Sequence, residues 1–108
     1  MKILFICSAN KDRSRTAEDH FAQQFPKYQF ESAGTNKKTC QQLGTNLLVE
    51  KQLQLADNVF VMETRHHQAI QKRFGGTYFS KINILHIKDH YIYGHATLKE
   101  ILHTKVIF

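Results

Sequence analysis

The sequence predicts an α/β fold in three layers, in which a four-stranded parallel sheet carries helices on both faces. Short apolar runs without alternation, such as residues 3–6 and 59–62, are typical of strands buried on both sides. Segments with apolar residues at helical spacing separate these runs. Strands that alternate with helices form right-handed βαβ units. The length of 108 residues fits one domain, residues 1–108, with a single core.

Each element is predicted from apolar spacing and from capping or helix-breaking residues at its ends. In chain order these elements are a strand over 2–6, a helix over 15–25 capped by Ser14 or Thr16 and closed by Pro26, a strand over 28–32, a loop over 33–36, a helix over 37–43 ended by Gly44, a short helix with Val49, Leu53 and Ala56 on one face, a strand over 58–62, a helix capped by Thr64 and ended by Gly75, a strand over 82–87, a loop over 88–95 and a terminal helix marked by Leu98, Ile101 and Leu102.

Composition excludes several classes of protein. Hydrophobic residues make up 42% and charged residues 22%, as in ordinary globular domains. The longest apolar runs are far too short to cross a bilayer, and the first strand does not resemble a signal peptide. We therefore expect a cytoplasmic protein with no membrane partner. Two cysteines are too few for a disulfide framework.

The formal net charge of +6 favours anionic partners. Nucleic acid is an unlikely partner, because Tyr28 and Phe30 fit a buried strand better than a stacking surface. No metal is expected, since no Cys and His spacing matches a tetrahedral set. The adjacent His66 and His67 point to different faces of a helix, and we interpret them as surface residues.

The segment between the first strand and the first helix, residues 7–14, has the layout of an anion site. A loop that leads into a helix leaves backbone N–H groups unpaired at the positive end of the helix dipole. Cys7 opens this loop, and its thiol is acidified by such surroundings. Arg13 closes it with a planar cation suited to phosphate oxygens.

Other side chains of the segment suit the same chemistry. Ser14 can donate a hydrogen bond to the Cys7 sulfur, and Asn10 tolerates the left-handed backbone that a loop around an anion needs. Taken singly, Cys7 also fits an inert buried thiol and Arg13 a solvated loop. The predicted loop at 88–95 follows the fourth strand, so it lies at the same edge of the sheet. It carries Asp89, a candidate general acid that also fits a solvated turn.

The sequence resembles the low-molecular-weight protein tyrosine phosphatases, most closely the short bacterial branch described as predicted protein tyrosine phosphatases. The motifs that carry the resemblance span nearly the whole chain in family order. They are Cys7-x-x-Asn10-x-x-Arg13-Ser14 followed by Thr16-Ala17-Glu18, Ser32-Ala33-Gly34-Thr35, Ala56-Asp57 before Val59-Phe60-Val61-Met62, and Ile87-x-Asp89-x-Tyr91.

The resemblance implies a phosphotyrosine protein phosphatase I-like fold and a two-step hydrolysis without a cofactor. Its substrate is a phosphotyrosine protein or a small phosphomonoester, and the loop also takes phosphate or sulfate-type anions. Cys7 is then the nucleophile, Arg13 the phosphate ligand and Asp89 the general acid. The residues assigned to substrate binding are Ser8, Ala9, Asn10, Lys11, Asp12, Ser14, Ser32 and Tyr91. The Ser32 hydroxyl is expected to form a hydrogen bond with Asn10. Tyr91 fits an aromatic wall for the substrate ring and equally fits packing under the last helix.

Three positions depart from the family pattern. Arg15 replaces a usual proline, Asp12 stands where many relatives carry a second cysteine, and His90 follows the acid where the family often has proline. We expect the Asp12 carboxylate to point out of the anion site. Two alternatives stay open: a non-catalytic phosphate-binding module, and an arsenate reductase on the same fold, for which Cys40 is the other cysteine.

Overall fold

The computed structural model describes residues 1–108, and its core element is a parallel sheet. The strands are β1 (Lys2–Cys7), β2 (Gln29–Gly34), β3 (Asn58–Val61) and β4 (Ile82–Ile84). The helices are α1 (Arg13–Gln24), α2 (Lys37–Leu43), α3 (Glu50–Leu55), α4 (Thr64–Phe74) and α5 (Ala96–Lys105), with a 3₁₀ turn over Phe79–Lys81.

All strand pairs are parallel, in the order β2-β1-β3-β4. The apolar run of β1 lies at the centre and is buried on both faces, which confirms the prediction made from its lack of alternation. Cys7 is opposite Gly34 in the register and Ile6 is opposite Val61. The carboxyl ends of β1, β2 and β3 therefore meet at one edge of the sheet.

Helices cover both faces of this sheet, which confirms the predicted three-layer α/β class. On one face, Phe5 packs in a cluster with Phe21 of α1 and Leu102 of α5. On the other face, Leu53 of α3 and Ile70 of α4 belong to the second cluster. No helix of the structure has the length and apolarity needed to cross a membrane.

The fourth strand is shorter than predicted, because it ends at Ile84 and not at Ile87. His86 adopts a positive φ of 56°, a conformation that a regular strand does not accept. The amide groups of Leu85 and Ile87 still donate to carbonyls of Val61 and Met62. Residues 85–87 thus continue alongside the end of β3, at the edge where the carboxyl ends of the strands meet, without regular strand geometry.

Several element boundaries also differ from the predictions. α1 begins at Arg13, its N-cap residue is Asp12, and no side chain caps it, so neither Ser14 nor Thr16 has the predicted role. α4 begins at Thr64 itself, after a Glu63 N-cap. β2 continues through Ala33 and Gly34, which were predicted as loop. Val49 precedes α3 and is exposed.

β2 continues to Gly34 because the chain passes directly under the loop after β1. A Cβ atom at this position would lie 2.6 Å from both the Ser8 carbonyl oxygen and the Cys40 Sγ atom. A side chain is excluded by this contact with backbone, so glycine is required here.

Replacement of Phe5 by alanine should lower the free energy of unfolding by about 3–5 kcal/mol. Phe5 is fully buried, and its ring stacks on Phe21, Phe30 and Phe60 with centroid distances of 5.6–6.2 Å. Urea unfolding of the variant beside wild type measures this loss. The exposed Ile107 offers a control, since Ile107→Ala should change stability by less than about 0.5 kcal/mol.

Candidate active site

The loop between β1 and α1 presents a row of unpaired backbone N–H groups. None of the N–H groups of residues 8–12 donates to a backbone carbonyl, and Arg13 and Ser14 form the first turn of α1, where N–H groups have no partner within the helix. We call residues 8–14 the cradle. With the helix dipole behind it, the cradle is suited to hold an anion.

Asn10 fixes the shape of the cradle. It is fully buried and has a φ of 52°, the left-handed conformation expected from the sequence. Its side-chain Nδ2 donates to Ser14 Oγ at 2.9 Å and to Ser32 Oγ at 2.8 Å. Its Oδ1 accepts the Asn46 N–H at 3.1 Å. Both N–H donors and one acceptor position of the amide side chain are thus used, and the contact with Ser32 that the resemblance implies is present.

The same network sets the direction of the hydrogen bond at the sulfur. Ser14 Oγ already accepts from Asn10 and lies 3.1 Å from Cys7 Sγ, so its own proton is free to donate to the sulfur. At the other end, Ser32 Oγ donates to Glu18 Oε1 at 2.5 Å. Partial burial raises the pKa of Glu18 above its ordinary value. The network therefore directs the Ser14 hydroxyl at the Cys7 sulfur.

Arg13 is buried, and two elements hold its guanidinium. Its Nη1 donates to Glu63 Oε2 at 2.6 Å and to the Ile87 carbonyl at 2.7 Å. The Arg13 Nε lies 3.7 Å from Asp89 Oδ1. Partial burial acts to raise the pKa of Glu63, but hydrogen bonds from Arg13 and Arg65 hold it below its ordinary value. Glu63 is thus a permanent anion beside the cradle.

Glu63 belongs to the site although no sequence motif predicted a function for it. The available signal was its position directly after β3, at the same sheet edge as the cradle. Spacing along the chain does not reveal that it contacts Arg13, fifty residues away.

The prediction that His66 is a surface residue is wrong, since it is almost fully buried. Its Nδ1 accepts the Glu63 N–H at 3.0 Å, so the proton of the neutral ring lies on Nε2, which donates to Ser8 Oγ at 2.9 Å. Burial, followed by the charges of Arg13 and Arg65, lowers its pKa to about 4. A neutral imidazole therefore supports the cradle from outside.

The remaining predicted residues differ in how close they lie to the cradle and in which direction they point. Asp89 lies at the edge of the cradle, 61% exposed and beside Arg13. Tyr91 packs against the core cluster, whereas the exposed Tyr93 borders a cleft with Lys11. The Asp12 carboxylate accepts the Tyr93 N–H at 2.9 Å and so points away from the cradle. The Ala9 carbonyl accepts a hydrogen bond from Thr45 at 2.6 Å.

Replacement of His66 by glutamine should weaken the loss of stability at acid pH. The folded-state pKa of about 4 lies below the ordinary 6.5, so the unfolded chain binds a proton first as the pH falls. The contribution of His66 is complete above about pH 6.5 and is lost towards pH 4, at up to about 1.4 kcal/mol per pH unit. Urea unfolding at pH 7.5 and 5 measures it. His90→Gln, at an exposed site, should retain the wild-type slope.

A sequence model of the low molecular weight phosphotyrosine protein phosphatases matches residues 2–56, just over half of the chain. A search of the curated proteins finds no match. Among solved structures, the low molecular weight protein tyrosine phosphatase from T. tengcongensis superposes with a TM-score of 0.73 at 21% identity, over 96% of this chain and 91% of that one.

A Bacillus subtilis low molecular weight protein tyrosine phosphatase is 26% identical, with a TM-score of 0.65 over 79% of this chain and 70% of its own. YwlE arginine phosphatase from Geobacillus stearothermophilus is 22% identical, with a TM-score of 0.65 over 96% and 91%. The structural matches below 25% identity establish the fold, and the family match adds the class of enzyme. The chain belongs to the low molecular weight phosphotyrosine protein phosphatase family and is a hydrolase of that family.

Proposed function

We propose that this protein is a cysteine-dependent phosphomonoesterase that acts through a phosphocysteine intermediate. The observation that carries the proposal is the cradle, whose free N–H groups lie between the Cys7 thiol and the buried Arg13 guanidinium. A dianionic phosphoryl group meets donors there on every side. Donors placed before the reaction stabilise the charge of the transition state without reorganisation.

In the first step, the Cys7 thiolate attacks phosphorus in line with the leaving oxygen. The S–P bond forms while the P–O bond to the substrate breaks, and the electron pair stays on the leaving oxygen. Asp89 supplies the proton that this oxygen needs. Arg13 and the cradle bind the other phosphoryl oxygens throughout.

In the second step, water attacks phosphorus from the side that the product has left. The Asp89 carboxylate takes the proton of the water, the S–P bond breaks, and the electron pair returns to Cys7. Ser14 stabilises the leaving thiolate through its hydrogen bond, 3.1 Å in length between oxygen and sulfur. Inorganic phosphate is released and the enzyme is regenerated.

The substrate class that we propose is a phosphotyrosine protein or a small phosphomonoester. Tyrosine phosphate matches the name of the family and of several structural relatives. Phosphoarginine belongs in any substrate panel, because another relative of the same fold is an arginine phosphatase. Its P–N bond poses the same demand for a proton on the leaving group.

Hydrolysis of p-nitrophenyl phosphate and of a phosphotyrosine peptide tests this mechanism. Cys7→Ser should abolish turnover, because a serine hydroxyl does not ionise near neutral pH. Asp89→Asn should lower kcat by about 10²–10⁴-fold, the usual contribution of a positioned acid. Cys40→Ser is the matched control and should stay active, since the Cys40 thiol donates to the Ser8 and Asn46 carbonyls, which accept a hydroxyl equally well.

Turnover by Cys7→Ser would contradict the proposal. A wild-type protein that binds phosphate or vanadate without releasing phosphate from any substrate would instead support a non-catalytic module. Arsenate reduction that depends on an added thiol would support the reductase.

A further inference from the structure

Three hydrogen bonds fasten the loop after β4 to α1 and its N-cap residue. The Tyr93 N–H donates to Asp12 Oδ1 at 2.9 Å, and the Tyr93 hydroxyl donates to Asp19 Oδ2. The Gly94 N–H donates to Thr16 Oγ1 at 3.0 Å. These contacts join residues more than seventy positions apart. Since α1 begins at the cradle, they tie the loop to the element that carries the anion site.

The start of this loop is held separately, since Arg13 Nη1 donates to the Ile87 carbonyl at 2.7 Å. Within residues 88–95, the other hydrogen bonds are local ones, such as His90 N–H to the Lys88 carbonyl. Tyr91 adds an apolar contact with the core cluster. Asp89 itself reaches only Arg13, at 3.7 Å, and is mostly exposed. The bonds to Asp12, Thr16 and Asp19 thus hold the far end of the loop that carries Asp89.

We propose that Asp12 is a positioning residue for the general acid, assisted by Asp19. This inference rests on the proposed function, because it concerns how Asp89 is held over the leaving group. Asp12 touches neither phosphate nor sulfur in this role. Its carboxylate turns outward, where it binds the Tyr93 amide and keeps the loop at the mouth of the cradle. The Asp12 carboxylate, which would repel an anionic substrate if it faced the cradle, thus orients Asp89 through the loop.

The dependence of the rate on the leaving group tests this role. Phenolate requires a proton to leave, whereas p-nitrophenolate departs readily without one, so a displaced acid slows phenyl phosphate more than p-nitrophenyl phosphate. Asp12→Ala removes the acceptor and should lower kcat for phenyl phosphate about tenfold more than for p-nitrophenyl phosphate. Asp12→Asn keeps an acceptor oxygen and should restore the wild-type ratio. Both variants remove the same charge and should share any change in KM.

Asp57 provides the matched control, since its carboxylate caps the Lys2 N–H at 2.7 Å at the opposite end of the sheet. Asp57→Ala should retain the wild-type ratio of the two substrates. In an Asp89→Asn background, Asp12→Ala should leave the ratio unchanged, because the acid is already absent. The ratio is insensitive to the fraction of protein that is folded, and Asp19→Asn tests the same loop through a milder change.

Two outcomes would overturn the inference. In one, Asp12→Ala keeps the wild-type ratio of kcat for phenyl phosphate and p-nitrophenyl phosphate. In the other, Asp12→Ala changes this ratio in the Asp89→Asn background as much as it does alone. Either result leaves the proposed function intact, since wild-type turnover is measured in the same assay. No turnover of either substrate by wild type would contradict the proposed function itself.

A second inference rests on a different feature, an open cleft of about 280 Å³ beside the cradle. The residues that line it are Asn10, Lys11, Arg15, Thr45 and Tyr93. It contains two cations and no carboxylate. Lys11 forms no ion pair, and Arg15 reaches Glu18 only at 3.9 Å. The Arg15 Nε is buried without a hydrogen-bond partner. The nearby Asp12 and Asp19 are both engaged by Tyr93.

We infer that this cleft binds an acidic side chain next to the phosphorylated residue of a peptide substrate, which narrows the proposed substrate class. An unpaired lysine and a weakly paired arginine beside a phosphate site favour a second negative group at short range. The carboxylate of a flanking Glu would pair with the exposed part of the Arg15 guanidinium, since the Arg15 side chain is 43% exposed. Lys11 would add charge from the cradle side of the cleft.

Matched phosphotyrosine peptides with flanking Glu or Gln residues test this preference. Wild type should show a roughly three- to fivefold higher kcat/KM for the Glu peptide, the scale of one exposed ion pair. Arg15→Gln should remove most of this ratio. Lys27→Gln, an exposed lysine between α1 and β2, removes the same charge and should retain it. Equal rates on both peptides in wild type would overturn the inference and leave the phosphatase function standing.

Discussion

The structure depends on one buried amide, the side chain of Asn10. A loop whose N–H groups all face inward is unfavourable without a partner, because like dipoles converge and the backbone must take a left-handed turn. Asn10 offsets this cost with three hydrogen bonds, to Ser14, Ser32 and the Asn46 amide. These partners come from α1, β2 and the segment after α2, so the cradle forms only when those elements have packed on β1.

That dependence explains why part of the site follows from the sequence and part does not. The strand, loop and helix around Cys7 are contiguous, so local patterns predict them, and the bond between Asn10 and Ser32 was anticipated from the family resemblance. Glu63 and His66 act from about fifty residues away. Glu63 precedes α4 and His66 lies in its first turn, and the sequence around them has the pattern of an ordinary surface helix. Only the packing of α4 beside the cradle buries His66.

The same limit applies to the boundaries of the fold. The end of β4 is set by His86, whose left-handed conformation has no sequence signal of the kind that glycine provides. The family motif and the loop after the fourth strand predict that Tyr91 is near the site, yet they do not distinguish a side chain that packs on the core from one that faces the cleft. Tertiary contact decides this, and it partly buries Tyr91 while leaving Tyr93 exposed.

Two carboxylates, those of Glu63 and Asp89, lie at different distances from Arg13 and therefore differ in what they contribute. A buried guanidinium needs a constant counter-charge, since an unpaired buried cation is strongly destabilising. Glu63 supplies it at 2.6 Å, with a lowered pKa that keeps it ionised. Asp89 lies at 3.7 Å and is mostly exposed, so Arg13 does not depend on its charge. In the proposed mechanism, Asp89 alternates between acid and carboxylate beside Arg13, and this arrangement allows it to do so while the Arg13–Glu63 pair stays unchanged.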